Sequence, residues 1–237
     1  MDICYKDSLE AWDNYHQFLH DLILRHKPEK ICEIGAGANP AIHLDFIHTQ
    51  GIEYTIIDIS QDELDKAPQG YIKVCADITS DEIKLENSYD FVFSKMLAEH
   101  VPDGKQFHMN VRKLLKSGGM AFHFFPTLFS LPFSANKIMP EYISYKLLTL
   151  FAKERDNEGK FGKFPAYYNM CYGPTAKQIK TFISMGYNID SYIGFFGHTY
   201  YKKIPPLNFL SRLATKLLIK FPLNFLTSYS YLLLVKK

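Results

Sequence analysis

Over residues 8–27 the apolar residues Ala11, Tyr15, Phe18 and Leu22 recur at helical spacing. Asp7 and Glu10 stand near the start and Pro28 after the end, which predicts an amphipathic helix. Beyond it the pattern changes to short apolar runs. Residues 31–34 read as a buried strand, 40–50 as a helix closed by Gly51, and 53–58 as a second strand. A short acidic helix near 61–66 is ended by Pro68 and Gly70. Strands follow at 71–76 and 89–94. A helix at 103–116 then stops at Ser117-Gly118-Gly119, and a strand covers 119–125. Strands alternating with helical stretches at this pitch predict parallel βαβ units.

The rhythm breaks at 126–172, where prolines at 126, 132, 140 and 165, many aromatics and a polar loop at 153–160 interrupt it. This stretch reads as an insertion over the mouth of the sheet. Regularity resumes with a helix at 174–185, a strand at 187–196, a helix at 207–220 and a strand at 228–235. The expectation is one α/β domain over 1–237. It has an N-terminal helix (1–28), a first βα half (29–125), an aromatic cap (126–172) and a closing section of strands and one basic helix (173–237).

In an open parallel sheet, ligands bind outside the carboxyl ends of the strands. Here the first predicted strand runs into Glu33-Ile34-Gly35-Ala36-Gly37, with Pro40 where a helix is expected to begin. Glycines let the backbone approach a ligand closely, and a helix start aims N–H groups at it. Glu33 departs from a plain phosphate loop, because a carboxylate repels a pyrophosphate and attracts an amine or sulfonium. The second strand ends in Asp58-Ile59, roughly twenty residues further on, where an acid accepts hydrogen bonds from two ribose hydroxyls. The third is followed by Asp77-Ile78, suited to an amino group beside an apolar face, and the fourth ends in Ser94-Lys95. Each signal alone is common in α/β proteins; it is their order that carries weight.

From 28 to 125 the chain resembles the class I S-adenosylmethionine-dependent methyltransferases of small-molecule type. The resemblance rests on Glu-x-Gly-x-Gly at 33–37, Asp58, Asp77, the Leu-Leu-Lys-Ser-Gly-Gly-Met turn at 114–120 and Met-Leu-Ala-Glu-His-Val-Pro-Asp at 96–103. It implies a Rossmann-like, mostly parallel sheet of seven strands with the last one antiparallel, and helices on both faces. It also implies S-adenosyl-L-methionine as cofactor and S-adenosyl-L-homocysteine as product. Carried over, Glu33 and the backbone of Gly35, Ala36 and Gly37 would hold the methionine part. Asp58 would take the ribose, Asp77 and Ile78 the adenine, Ile59 would also touch the cofactor, and Ser94 or Lys95 would border the site. A nicotinamide dinucleotide is the rival cofactor. Its fingerprint needs a third glycine where this chain has Pro40, and it gives no reason for Asp77.

A sulfonium carries its own activated methyl group, so the protein mainly positions the acceptor and excludes water. An oxygen or nitrogen acceptor still calls for a base, and histidine titrates near neutral pH. His100 follows the fourth strand and is the candidate; packing or capping the next turn is its ordinary alternative. His123 lies within a strand and reads as a core residue, while His198 follows Gly194-Phe195-Phe196-Gly197 near the cleft. Tyr167, Tyr168 and Tyr172 offer flat area plus a hydroxyl for a small molecule, a glycan or a lipid-linked acceptor. A packed lid is the alternative.

Net charge is only +2, yet no Asp or Glu follows Asp190, while seven bases do. The helix at 207–220 places Leu210, Leu213, Leu217 and Leu218 on one side and Ser211, Arg212, Lys216 and Lys220 on the other. Such a helix suits peripheral contact with an anionic membrane, or lays its apolar side on the sheet. No nucleic-acid-binding module accompanies the bases. Cys4, Cys32, Cys75 and Cys171 are widely spread, two of them in strands read as buried, with no metal-ligand spacing and no disulfide framework. A cytoplasmic setting without a signal peptide or a membrane span is the expectation.

Overall fold

The computed structural model describes residues 1–81, 87–128 and 165–237. Most of the stretch read as a cap, including the polar loop at 153–160, lies outside these residues. The chain begins with β1 (Asp2–Asp7), α1 (Ser8–Asp13) and α2 (Tyr15–His26), then β2 (Lys30–Ile34), α3 (Leu44–Gln50), β3 (Glu53–Asp58), α4 (Gln61–Lys66) and β4 (Ile72–Cys75). β5 (Tyr89–Lys95), a 3₁₀ turn at Ala98–His100, α5 (Gly104–Leu114) and β6 (Leu115–Pro126) follow. The last section holds α6 (Ala176–Ser184), β7 (Tyr187–Phe196), α7 (Pro205–Lys220), a second 3₁₀ turn (Asn224–Leu226) and β8 (Tyr229–Lys236).

Among the described residues, eight strands form one sheet in the order β1-β7-β8-β6-β5-β2-β3-β4. β8 is antiparallel to both β6 and β7, and every other pairing is parallel. Seven of these strands are the ones read from the sequence, with the last inserted antiparallel as expected. The eighth, β1, was not anticipated. Its acids at both ends and Lys6 between them carry no strand alternation, and it gains order by pairing with β7 from Asp2↔Ser191 to Asp7↔Phe196.

The sheet is covered on both faces, and β6 shows how. Phe122 and Phe124 point to the N-terminal helices, where Phe122 meets Tyr15 and Phe18 and Phe124 meets Trp12 and Tyr15. His123, between them, points to the other face and packs on Phe107 and His108 of α5. Burying each large side chain here contributes about 1.5–3 kcal/mol.

Four local departures have physical causes. The helix expected over 8–27 breaks at Asn14, and the bend brings both Trp12 and Tyr15 against Phe124. The helix expected from Pro40 begins only at Leu44. Ala41 gives its N–H to Glu33 and the Ile42 carbonyl accepts from Tyr71 Oη, which holds 41–42 out of helical register. Ser117-Gly118-Gly119 lies inside β6 as an irregularity, so that strand starts at Leu115. β4 sits at the sheet edge, so Cys75 is exposed rather than buried.

Candidate cofactor and acceptor site

The tips of β2, β3 and β4 are joined by hydrogen bonds. Gly35 donates its N–H to the Ile57 carbonyl at 2.7 Å, which extends the β2–β3 ladder into the glycine turn. Gly37 donates to Asp58 Oδ2 at 2.9 Å, and Ala76 donates to the Asp58 carbonyl at 2.9 Å. Gly35 and Gly37 have φ of +76° and +51°, a region that L side chains avoid. Asp58 Oδ1 accepts the Ser60 N–H at 2.9 Å. Ile59, next in the chain, is 70% exposed and presents an apolar ledge beside this tip.

Glu33 is buried beneath the turn. Its carboxylate accepts from the Ala41 N–H at 2.9 Å and from Tyr54 Oη at 2.6 Å. Burial raises its pKa to about 7; the Tyr54 and Ala41 hydrogen bonds and the nearby Lys95 charge pull the other way. Lys95, half-buried at the tip of β5, stands 4.5 Å from the Tyr15 ring centroid. The Tyr15 hydroxyl is buried with no hydrogen-bond partner. Ser94 turns the other way, into the core, where its Oγ lies 2.8 Å from His123 Nδ1. Asp77 is exposed, and its Oδ1 accepts from the Thr79 N–H and hydroxyl. Ile78 is buried, and its carbonyl accepts from Asn110 Nδ2 of α5 at 2.8 Å.

Of the residues assigned to the acceptor, His100, Tyr167 and Tyr168 meet at the turn after β5. The Glu99 carbonyl accepts from the N–H groups of Tyr167 and Tyr168, and Asn169 Nδ2 donates to the Pro102 carbonyl. These bonds fix 165–172 onto the turn that carries His100. His100 Nδ1 lies 2.9 Å from the Pro165 carbonyl. A carbonyl only accepts, so Nδ1 is the donor in this bond. Nε2 lies 3.6 Å from Glu99 Oε1. The Glu99 side chain is buried, its Oε2 has no hydrogen-bond partner, and burial raises its pKa to about 8. Tyr168 is buried and Tyr167 exposed, with Tyr172 intermediate. His198 sits past the tip of β7, its pKa lowered by burial, with its ring against Tyr200 and Tyr201.

Residues 32–123, from β2 through most of β6, match the family model described as a methyltransferase domain. That stretch, less than half of the chain, is where the match to a methyltransferase domain lies. By fold the chain is similar to solved S-adenosylmethionine-dependent methyltransferase structures. A methyltransferase from Archaeoglobus fulgidus matches at TM-score 0.55 and 15% identity, covering 97% of this chain and 98% of that one. Phosphoethanolamine N-methyltransferase 2 of Haemonchus contortus, in complex with S-adenosyl-L-methionine, matches at 0.54 and 18%, over 95% of this chain and 52% of that one. The cyclase SpnF matches at 0.55 and 14%, over 96% and 81%. At these identities the likeness is one of fold, and SpnF shows that the fold also carries other chemistry. No curated protein sequence matches the chain.

Four residues of this candidate site escaped the sequence reading. Tyr15 lay hidden in a helical stripe and Tyr54 in a strand, because long-range packing alone brings them to Glu33 and Lys95. Asn110 is a buried polar residue within a helix. Glu99 had a signal: a single acid between Ala98 and His100 in an otherwise apolar run.

Proposed function

We propose that this protein transfers a methyl group from S-adenosyl-L-methionine to an oxygen or nitrogen of a small-molecule, glycan or lipid-linked acceptor. The observation that carries the reading is the linked set of strand tips, Gly35 to Ile57 and Gly37 and Ala76 to Asp58, inside the matched methyltransferase domain. Bound there, the cofactor supplies an electrophilic methyl group on a sulfonium.

The residues present fit such a group. Asp58 keeps lone pairs on both carboxylate oxygens for a ribose diol, and Ile59, Asp77 and Ile78 offer an apolar and polar edge for a base. The orphaned Tyr15 hydroxyl and the Lys95 ammonium suit an α-carboxylate, a pairing that satisfies a buried polar atom. The Glu33 carboxylate is already used by Ala41 and Tyr54. It therefore acts on the methionine end indirectly, by holding Ala41 just beyond the glycine turn. Ser94 supports the β5 tip from below.

His100 is the candidate base. Its Nδ1 donates to the Pro165 carbonyl, and Nε2, with the Glu99 carboxyl beside it, is the atom proposed to take a proton from the acceptor. Tyr167, Tyr172 and His198 are candidate acceptor contacts. Tyr168 packs beneath them. A melting-temperature measurement with S-adenosyl-L-homocysteine and with NADH tests the cofactor. Stabilisation by the first alone is expected, and stabilisation by NADH alone would overturn the reading. Labelled cofactor offered with an acceptor panel tests the transfer.

A further inference from the structure

α7 is built inside out. The residues it turns toward the sheet are Asn208, Ser211 and Thr215, with Leu218 and Ile219 in its last turn, and Thr215 is its one buried residue. The Thr215 hydroxyl is satisfied within the helix by the Ser211 carbonyl at 2.9 Å. The opposite face is apolar and open. Phe209, Leu210, Leu213 and Leu217 are 68, 59, 47 and 53% exposed, and Phe221 beyond the helix is 65% exposed. An ordinary surface helix shows the reverse arrangement.

Bases line one flank of that face. Lys202, Arg212 and Lys216 surround a cavity of about 410 Å³ together with Phe209 and Leu213. Lys220 follows one turn later, 5.5 Å from the Phe221 ring centroid. Among the described residues Asp7 meets this flank, 3.9 Å from Arg212 Nη2, and no Asp or Glu occurs after Asp190. β7 ends at Phe196 and the antiparallel β8 begins at Tyr229, which pairs with Phe195 and Pro126. The connection that contains α7 therefore leaves and re-enters the sheet at its carboxyl end, the end that carries Asp58, Lys95 and His100.

We propose that α7 docks this protein on the surface of an anionic phospholipid bilayer. The leucines and phenylalanines lie at the headgroup–acyl boundary, and Lys202, Arg212, Lys216 and Lys220 meet lipid phosphates. Charge argues for this occupant over a second copy of the chain. Two α7 faces in contact would bring their basic flanks together, whereas a bilayer offers continuous negative charge. No helix among the described residues is long and apolar enough to cross a membrane, so contact is at the surface. Docking stands independently of the proposed methyl transfer, because it is read without turnover. Combined with that reaction, it turns the site toward an acceptor held in lipid.

The experiment is co-sedimentation of the full chain with vesicles of phosphatidylcholine alone or of equal parts phosphatidylcholine and phosphatidylserine. Binding at least tenfold tighter to the anionic vesicles is expected, weakening as salt rises. Leu213→Glu with Leu217→Glu should lose at least tenfold, and so should Arg212→Glu with Lys216→Glu. Both pairs are on the surface, and an unchanged melting temperature verifies their fold. Equal binding to both vesicles, no binding to either, or variants that bind like the parent would overturn the proposal. So would a dimer that Leu213→Glu splits while vesicles are ignored.

Discussion

Gly37 and Asp58, 21 residues apart, are joined by a 2.9 Å hydrogen bond from the glycine N–H to Oδ2. The bond closes the glycine turn of β2 onto the tip of β3, so one carboxylate both shapes the turn and faces the place assigned to the ribose. Asp58→Ala removes this contact, the Ser60 contact and any ribose contacts together. The expected result is a loss of about 1.5–3 kcal/mol in S-adenosyl-L-homocysteine affinity, the range for hydrogen bonds to a charged group. Calorimetric titration measures it. Unchanged affinity would separate the β3 tip from the cofactor.

Stability should have a maximum on the acid side of neutrality. Glu33 and Glu99 are raised from 4.5 to about 7 and about 8 by burial. Their contribution is fully present below 4.5 and is lost as pH rises through the folded values. These shifts correspond to about 3 kcal/mol for Glu33 and about 5 kcal/mol for Glu99. His108 and His123 behave in the opposite sense. Burial lowers both, His123 to about 3, so their contribution is present above 6.5 and is lost on acidification. Between 4.5 and 6.5 the pairs oppose each other and stability should be flat. Above that it should fall until about pH 8. Urea midpoints across this range measure the profile, and Glu33→Gln should reduce the alkaline fall. A profile that rises from pH 6.5 to 8 would contradict the burial of both acids.

The parts of this architecture that announce themselves in sequence are those set locally. Ile31 to Ile34 and Tyr54 to Ile57 are unbroken apolar runs, and Gly35 and Gly37 occupy positions that need positive φ. What stayed hidden depends on distant partners. Asp2–Asp7 becomes a strand only because β7 offers it an edge. The start of α3 is delayed by Glu33 and Tyr71, residues outside the helix. α7 was legible as amphipathic, but which side faces the sheet is decided by Asn208, Ser211 and Thr215 packing over the tips of β1 and β7. In the site, the acids at strand ends were legible by position, whereas the buried partners Tyr15, Tyr54 and Asn110 come from other elements.

Gly35 is constrained twice. Its φ is +76°, and an added Cβ would lie 2.8 Å from Leu97 Cδ1. Gly35→Ala should destabilise the protein by about 1–2 kcal/mol from the backbone conformation alone. Shortening the neighbour in Gly35→Ala with Leu97→Ala relieves the crowding but not the φ penalty. The double variant should therefore stay below Leu97→Ala alone in thermal melts. Equal melting temperatures would mean that the turn relaxes out of the left-handed region.

His100 is tested best by a substitution that keeps its structural bond. Asparagine places an N–H near the position of Nδ1, so His100→Asn retains the donor to the Pro165 carbonyl while removing Nε2. If Nε2 takes the acceptor proton, turnover should fall by about a hundredfold or more, the scale of general-base catalysis. S-adenosyl-L-homocysteine affinity and melting temperature should stay near the parent values. Glu99→Gln complements this, because glutamine resembles the protonated acid that burial favours up to about pH 8. That variant should work normally near neutral pH and differ from the parent only at higher pH, where Glu99 ionises 3.6 Å from the imidazole. A His100→Asn enzyme with full turnover would leave His100 the role of fastening residues 165–172 to the turn after β5.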